Sequence, residues 1–261
     1  MTQLMGILNV TSDSFYDGGC FFAEEHAIVR GLAMVAEGAD ILDIGGESTR
    51  PGATPVALAE EFSRVVPVIK GLSSQTAVPL SIDTMKPEVA AAALEAGATL
   101  INDVSGFRHP QMRELAAHSK VDICVMHMQG EPRTMQNQPF YEEGIIPHLL
   151  KWFENRVQEL RASGVQDSQI ILDPGIGFGK TVADNLKIID NLSLLKSMGF
   201  RILLGASRKS FLSKIVNKSS ANVLYETIAV NVLGVQQGVD IIRVHDVKEH
   251  RGVLDLMSRF R

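Results

Sequence analysis

Short apolar runs recur along the chain at residues 4–8, 41–44, 79–82, 100–101, 123–126, 170–172, 202–204 and 241–244. Each is short enough to be a strand and is continuous rather than alternating, which predicts strands buried on both faces, as in a parallel sheet. Between them lie helical stretches, for example residues 25–37, 58–72, 87–96, 145–163, 222–237 and 248–261. Several helical segments end at a stopping glycine, namely Gly38, Gly97, Gly164, Gly199 and Gly238. Strand, polar loop, helix and glycine alternate in this way along the whole chain. Such alternation gives parallel βαβ units, and eight in succession predict one α/β domain over residues 1–261, closed as a (β/α)8 TIM barrel rather than a doubly wound open sheet.

The segments entering the strands are short, whereas those leaving them are long and polar. In barrels of this kind the loops after the strands build the site. Here they read Asn9-Val-Thr-Ser-Asp-Ser-Phe15, Asp43-Ile-Gly-Gly-Glu-Ser-Thr-Arg-Pro51, Ser81-Ile-Asp-Thr84, Asn102-Asp-Val-Ser-Gly106, Met126-His-Met128, Asp173-Pro-Gly-Ile-Gly-Phe-Gly-Lys180, Ser207-Arg-Lys-Ser210 and Arg243-Val-His-Asp246.

Composition narrows the ligand. Of the 261 residues 45% are hydrophobic and 21% charged, enough for a large core and no case for disorder. A net charge of -5 argues against nucleic acid held by bulk electrostatics, while leaving room for a local basic pocket. No apolar run approaches a membrane span and the first residues do not read as a signal peptide, so a cytoplasmic protein is expected. The cysteines, Cys20 and Cys124, lie far apart with no zinc-site spacing. A nucleophilic Cys20 is disfavoured because no His stands near it in the sequence.

Asp83, Asn102 and Asp173 leave the third, fourth and sixth strands and should converge near the barrel axis. A carboxylate accepts two parallel N–H bonds and an amide both donates and accepts, which suits the edge of an aminated heterocycle. Each alone could instead cap the following helix. Ser207-Arg-Lys-Ser210 opens a helix after the seventh strand, where free N–H groups, Arg208 and Lys209 favour an anion. Arg243 and His245 sit on alternate positions after the eighth, as a phosphate site or, for Arg243, a salt-bridged rim. Gly175-Ile-Gly-Phe-Gly-Lys-Thr181 misses the P-loop pattern by Pro174 and is read as a loop carrying Phe178 to a ligand. His127 lacks a metal partner at ligand spacing and reads as a buried, hydrogen-bonded histidine, with Met126 lining the pocket floor.

Taken together and in order, these motifs resemble the dihydropteroate synthase family over essentially the full chain. The resemblance implies a transferase joining p-aminobenzoate to a dihydropterin pyrophosphate, in folate biosynthesis, and a sulfonamide target. It implies that Asp83, Asn102, Met126, Asp173 and Lys209 form the pterin site, with Asp83, Asp173, Lys209, Arg243 and His245 carrying the chemistry. Asn9, Thr49, Arg243 and His245 would hold pyrophosphate, with Asn9 on Mg2+. Phe15, Arg50, Pro51, Phe178 and Ser210 would hold p-aminobenzoate. A homodimer is also implied.

The sequence departs from the family pattern at Ser12, where proline is usual, at Tyr16, where a small polar residue is common, and at Glu226, where glycine is frequent. The competing readings are a pterin-binding barrel that passes a methyl group to a corrinoid partner and a catalytically idle pterin binder. An ATP-binding protein, read from Gly179-Lys-Thr, and a Schiff-base aldolase using Lys209 are further ones.

Overall fold

A computed structural model describes residues 2–10, 19–50 and 52–260, the side chains of residues 19–23 excepted. Among the described residues eight parallel strands close into a barrel in sequence order: β1 (Gln3–Asn9), β2 (Ile41–Gly45), β3 (Leu80–Asp83), β4 (Leu100–Asp103), β5 (Asp122–Met126), β6 (Ile170–Asp173), β7 (Arg201–Leu204) and β8 (Ile241–Val244), with β8 returning to pair with β1. The helices around it are α1 (Gly19–Ala36), α2 (Leu58–Ser73), α3 (Pro87–Glu95), α4 (Pro110–Ser119), α5 (Ile145–Ala162), α6 (Val182–Asp190), α7 (Leu192–Lys196), α8 (Ser210–Val216), α9 (Leu224–Gln236) and α10 (Val247–Met257).

The unbroken apolar runs follow from two separate cores. One set of strand residues, such as Leu42, Ile44, Ile82, Ile123 and Ile202, packs outward against the helices. The alternate positions Met5, Ile41, Leu100, Cys124, Ile171, Leu203 and Ile241 meet inside the barrel as a separate apolar plug. Because strand side chains alternate with a period of two, the next inward positions are Ile7, Asp43, Asn102, Met126, Asp173, Gly205 and Arg243. One step toward the carboxyl ends of the strands the apolar plug thus gives way to a layer that carries Asp43, Asn102, Asp173 and Arg243.

At the opposite end, acids fix the strand starts. Asp40 Oδ2 accepts from the Leu4 amide at 2.7 Å and pairs with Arg251, while Asp240 Oδ2 accepts from the Ile202 amide at 2.7 Å and pairs with Lys196. Thr2 Oγ1 donates to the Val239 carbonyl at 2.9 Å, which ties the residue before β1 to the one-turn approach to β8.

The five helix-stopping glycines all lie at positive φ, for example Gly97 at 115°. Helices α4 and α8 instead end on Lys120 and Asn217 in the left-handed region, at φ 57° and 52°. Residues other than glycine rarely adopt that conformation, so these helix ends carried no glycine signal. Helix α9 starts at Leu224 rather than at residue 222, because Ser220–Asn222 form a separate 3-10 turn. Helix α10 ends at Met257, short of residue 261, and passes into the 3-10 turn Ser258–Phe260.

Candidate active site

The inward polar positions form one connected network. Asp43 Oδ2 accepts from Arg243 Nε at 2.5 Å and from Asn102 Nδ2 at 3.1 Å, and Arg243 Nη2 donates to Asp83 Oδ2 at 2.7 Å. Asp43 is fully buried. Among the described residues the second oxygens of Asp43 and Asp83 and the Ser81 hydroxyl are buried without a partner, which leaves acceptors facing the barrel axis. Burial pushes the Asp83 carboxyl up to about 7 against the pull of Arg243, with the Asp43 and Glu61 charges adding to the rise. Burial disfavours a charged Arg243, but the carboxylates of Asp43 and Asp83 outweigh it and hold the guanidinium more firmly protonated than usual.

Asp173 closes β6. Its Oδ1 accepts the Gly175 amide at 2.7 Å, the short turn that Pro174-Gly175 permits. Burial raises this carboxyl, opposed by the Gly175 N–H and by the charges of Lys209 and Arg243. Gly175 has φ 67°, and a Cβ there would collide with the His127 carbonyl oxygen, so the chain must pass His127 without a side chain.

Lys209 is the residue before α8, and its ammonium lies 4.1 Å from the centroid of the Phe178 ring. Burial and the neighbouring Arg243 charge lower it to about 8. Phe178 belongs to a small cluster with Val104, Met126, Met128 and Met135, against which Met85 packs. Met126 is the register partner of Asp173. An apolar, sulfur-rich wall thus faces a set of carboxylate, amide and ammonium groups, the lining suited to a flat heterocycle with polar edges.

The basic residues after β7 and β8 already have partners within the chain. Arg243 turns to the buried carboxylates. His245 Nδ1 meets Ser207 Oγ at 2.9 Å, and burial, then Arg243 and Arg208, push its imidazole down to about 3, so it is neutral. Arg208 turns away from the start of α8 and pairs with Asp246 through two contacts of 2.5 and 3.2 Å. The reason is proximity: β8 delivers Asp246 beside Arg208, and a fork of donors pairs best with a carboxylate.

The remaining expected residues lie on the rim. Asn9 and Ser210 are exposed, Thr49 is half-buried and Arg50 is exposed in the loop after β2. That loop is anchored by Lys86, which pairs with both Glu47 and the fully buried Glu61, while Thr84 Oγ1 donates to Glu61 at 2.6 Å. Phe15 and Pro51 lie outside the described residues, as do Ser12, Tyr16 and the side chain of Cys20. Glu226 pairs with Lys218 at 2.7 Å on the surface, and nothing further accounts for an acid there.

Two residues of the site were not singled out from the sequence. Asp43 stood in a motif but was not assigned a role; its signal was a lone acid two residues after the inward-facing Ile41 in a buried strand. Lys180 turns inward, only 3% exposed, with Nζ 2.9 Å from the Phe178 carbonyl and 3.0 Å from His127 Nδ1. A lysine so turned cannot reach a nucleotide phosphate, which removes the ATP reading. His127 is buried and hydrogen-bonded as expected, its Nε2 3.2 Å from His148 Nε2. Burial raises the Cys124 thiol far above its ordinary value, an inert thiol in the plug.

The profile of the pterin binding enzyme family matches residues 5–245. The chain is 45% identical over 249 residues to the dihydropteroate synthase of Synechocystis sp., covering 95% of this chain and 86% of that one. Two solved structures are similar throughout. One is the Xanthomonas albilineans dihydropteroate synthase with 4-aminobenzoic acid, at 40% identity and TM-score 0.93, covering 99% of this chain and 93% of that one. The other is the Yersinia pestis dihydropteroate synthase with a sulfonamide drug complex, at 40% identity and TM-score 0.94, covering 100% and 94%.

Proposed function

The chain belongs to the family of pterin-binding enzymes, and we infer that it is a transferase that joins p-aminobenzoate to 6-hydroxymethyl-7,8-dihydropterin pyrophosphate, giving dihydropteroate and pyrophosphate in folate biosynthesis. Similarity over nearly the whole chain to dihydropteroate synthases supports this, including one solved with 4-aminobenzoic acid and one with a sulfonamide. The observation that carries the reading for the site is the convergence of Asp83, Asn102, Asp173 and Lys209 on one end of the barrel, beside the methionine cluster.

In this reading Asp173 and Asn102 bind the aminated edge of the pterin, Lys209 donates to its carbonyl, and Met126 lies under the ring. The carbon–oxygen bond to the pyrophosphate breaks with its electron pair leaving on oxygen. Asp83 and Asp173 stabilise the cationic methylene left behind, and Arg243 and His245 steady the departing charge. The neutral arylamine nitrogen then attacks the methylene and loses a proton, so no strong general base is required. Phe178 and Pro51 pack the arylamine ring, beside Phe15 and Arg50, and Ser210 meets its carboxylate at the start of α8. Thr49 joins the pyrophosphate site from the loop after β2.

A hard divalent cation fits the donors present: one exposed amide oxygen, on Asn9, which with pyrophosphate oxygens and water would suit Mg2+. Bound there, Mg2+ would neutralise charge on the leaving group. A homodimer is the proposed assembly, supported by the exposed Leu186, Leu194 and Leu233 on the neighbouring α6, α7 and α9. The cytoplasm is the proposed setting, in keeping with the free thiol of Cys124.

The test is pyrophosphate release by the purified protein given both substrates and Mg2+, with Asp173→Asn and Arg243→Ala beside it. Release that needs p-aminobenzoate and collapses in both variants is expected. Pterin binding without release would leave an idle binder or a methyl-transferring barrel.

A further inference from the structure

The Gly175–Lys180 loop is held from behind by a set of donors that no substrate contact explains. Lys180 Nζ lies 2.9 Å from the Phe178 carbonyl, 3.3 Å from the His127 carbonyl and 3.0 Å from His127 Nδ1. Tyr141 Oη donates to the Gly179 carbonyl at 2.6 Å, and Gln136 Nε2 to the Gly177 carbonyl at 2.5 Å. Among the described residues Lys180 has no carboxylate within ion-pair distance, so burying its amine is costly unless these contacts return the energy.

We infer that Lys180 is a positioning residue: it clamps the loop so that the Phe178 ring stays against Lys209, shaping the p-aminobenzoate subsite without touching substrate. This rests on the transferase reading above. The clamp is satisfied in either protonation state. As an ammonium, Lys180 donates to both carbonyls and to His127 Nδ1, and His127 Nε2–H donates to His148. As an amine, it donates to the two carbonyls and accepts from His127 Nδ1–H, and the His127–His148 bond reverses. Burial brings Lys180 down to about 7, with Asp173 and Asp184 opposing and Lys209 adding, so both states lie near neutrality. Around the histidines the facing charges are Arg108 and Lys151.

The experiment measures pyrophosphate release by the full chain, with KM for each substrate taken separately, in wild type, Lys180→Met, Phe178→Ala and the double variant. KM for p-aminobenzoate should rise about tenfold in Lys180→Met while KM for the pterin pyrophosphate moves less than about threefold. In the Phe178→Ala background the same substitution should add less than about twofold, because the clamp acts through that ring. Trp152, the sole tryptophan, stands edge-on to His127 at 5.0 Å, so its emission should shift when the clamp opens. If Lys180→Met does not fold, Tyr141→Phe decides, removing one hydroxyl from the Gly179 carbonyl; a selective rise in KM for p-aminobenzoate is expected. Equal changes in both KM values, or independent effects of Lys180 and Phe178, overturn the inference. An inactive wild type would instead overturn the transferase reading.

Discussion

Arg243 Nε donates to Asp43 Oδ2 at 2.5 Å across a sequence separation of 200 residues. The contact reaches from β8 past β1 to β2, and it exists because the barrel closes. It also fixes where the guanidinium of the proposed pyrophosphate site points before substrate arrives.

Asp43→Asn removes the charge from that contact while keeping its shape. Arg243 retains Asp83, so the expected cost is that of weakening one charge-assisted bond, about 2 kcal/mol, or roughly a thirtyfold fall in kcat/KM. Pyrophosphate release against substrate concentration measures it. An unchanged kcat/KM would show that Asp83 alone orients Arg243.

His245 is held at about 3 in the folded chain against an ordinary 6.5. Below pH 6.5 the unfolded chain takes up a proton that the folded chain does not, so this group's contribution is fully present above 6.5 and is lost as pH falls toward 3. His127, His148 and His250, also lowered, act in the same direction, while Asp83, whose carboxyl is raised, acts oppositely. Urea unfolding at pH 7.5 and 5.5 of wild type and His245→Asn isolates the share of His245: the wild type should lose about 1 kcal/mol more than the variant.

Gly175→Ala places a Cβ against the His127 carbonyl at a positive φ. Strain and overlap together should cost about 3 kcal/mol, lowering Tm by roughly 10 °C, and activity should fall with the displaced Asp173. Calorimetry and pyrophosphate release on the same sample check both effects.

Chelation of divalent cations should raise KM for the pterin pyrophosphate without weakening binding of a pterin that lacks phosphate. Asn9→Ala should raise the Mg2+ concentration for half-maximal release by about tenfold. Titrating Mg2+ in both proteins separates this from a general loss of activity.

The sequence by itself determined the strands, their order, the closed barrel and the end at which the chemistry lies. Doubly buried strands must read as continuous apolar runs, and each run here breaks into polar residues at the same end, as at Asp83 and Asp173. The inward position of Asp43 needed the structure, because the period of two gives a direction only once Ile41 is known to lie inside the barrel. What the tertiary structure decided was which charge meets which. Arg208 reads as an anion-binding cation until β8 brings Asp246 beside it, and the loop read as carrying Phe178 also turns Lys180 inward onto His127. Helices α4 and α8 end on Lys120 and Asn217 through backbone conformations that favour glycine in sequence rules. Side-chain direction in the loops depends on neighbours that chain closure supplies from far along the sequence, and local pattern carries no information about that distance.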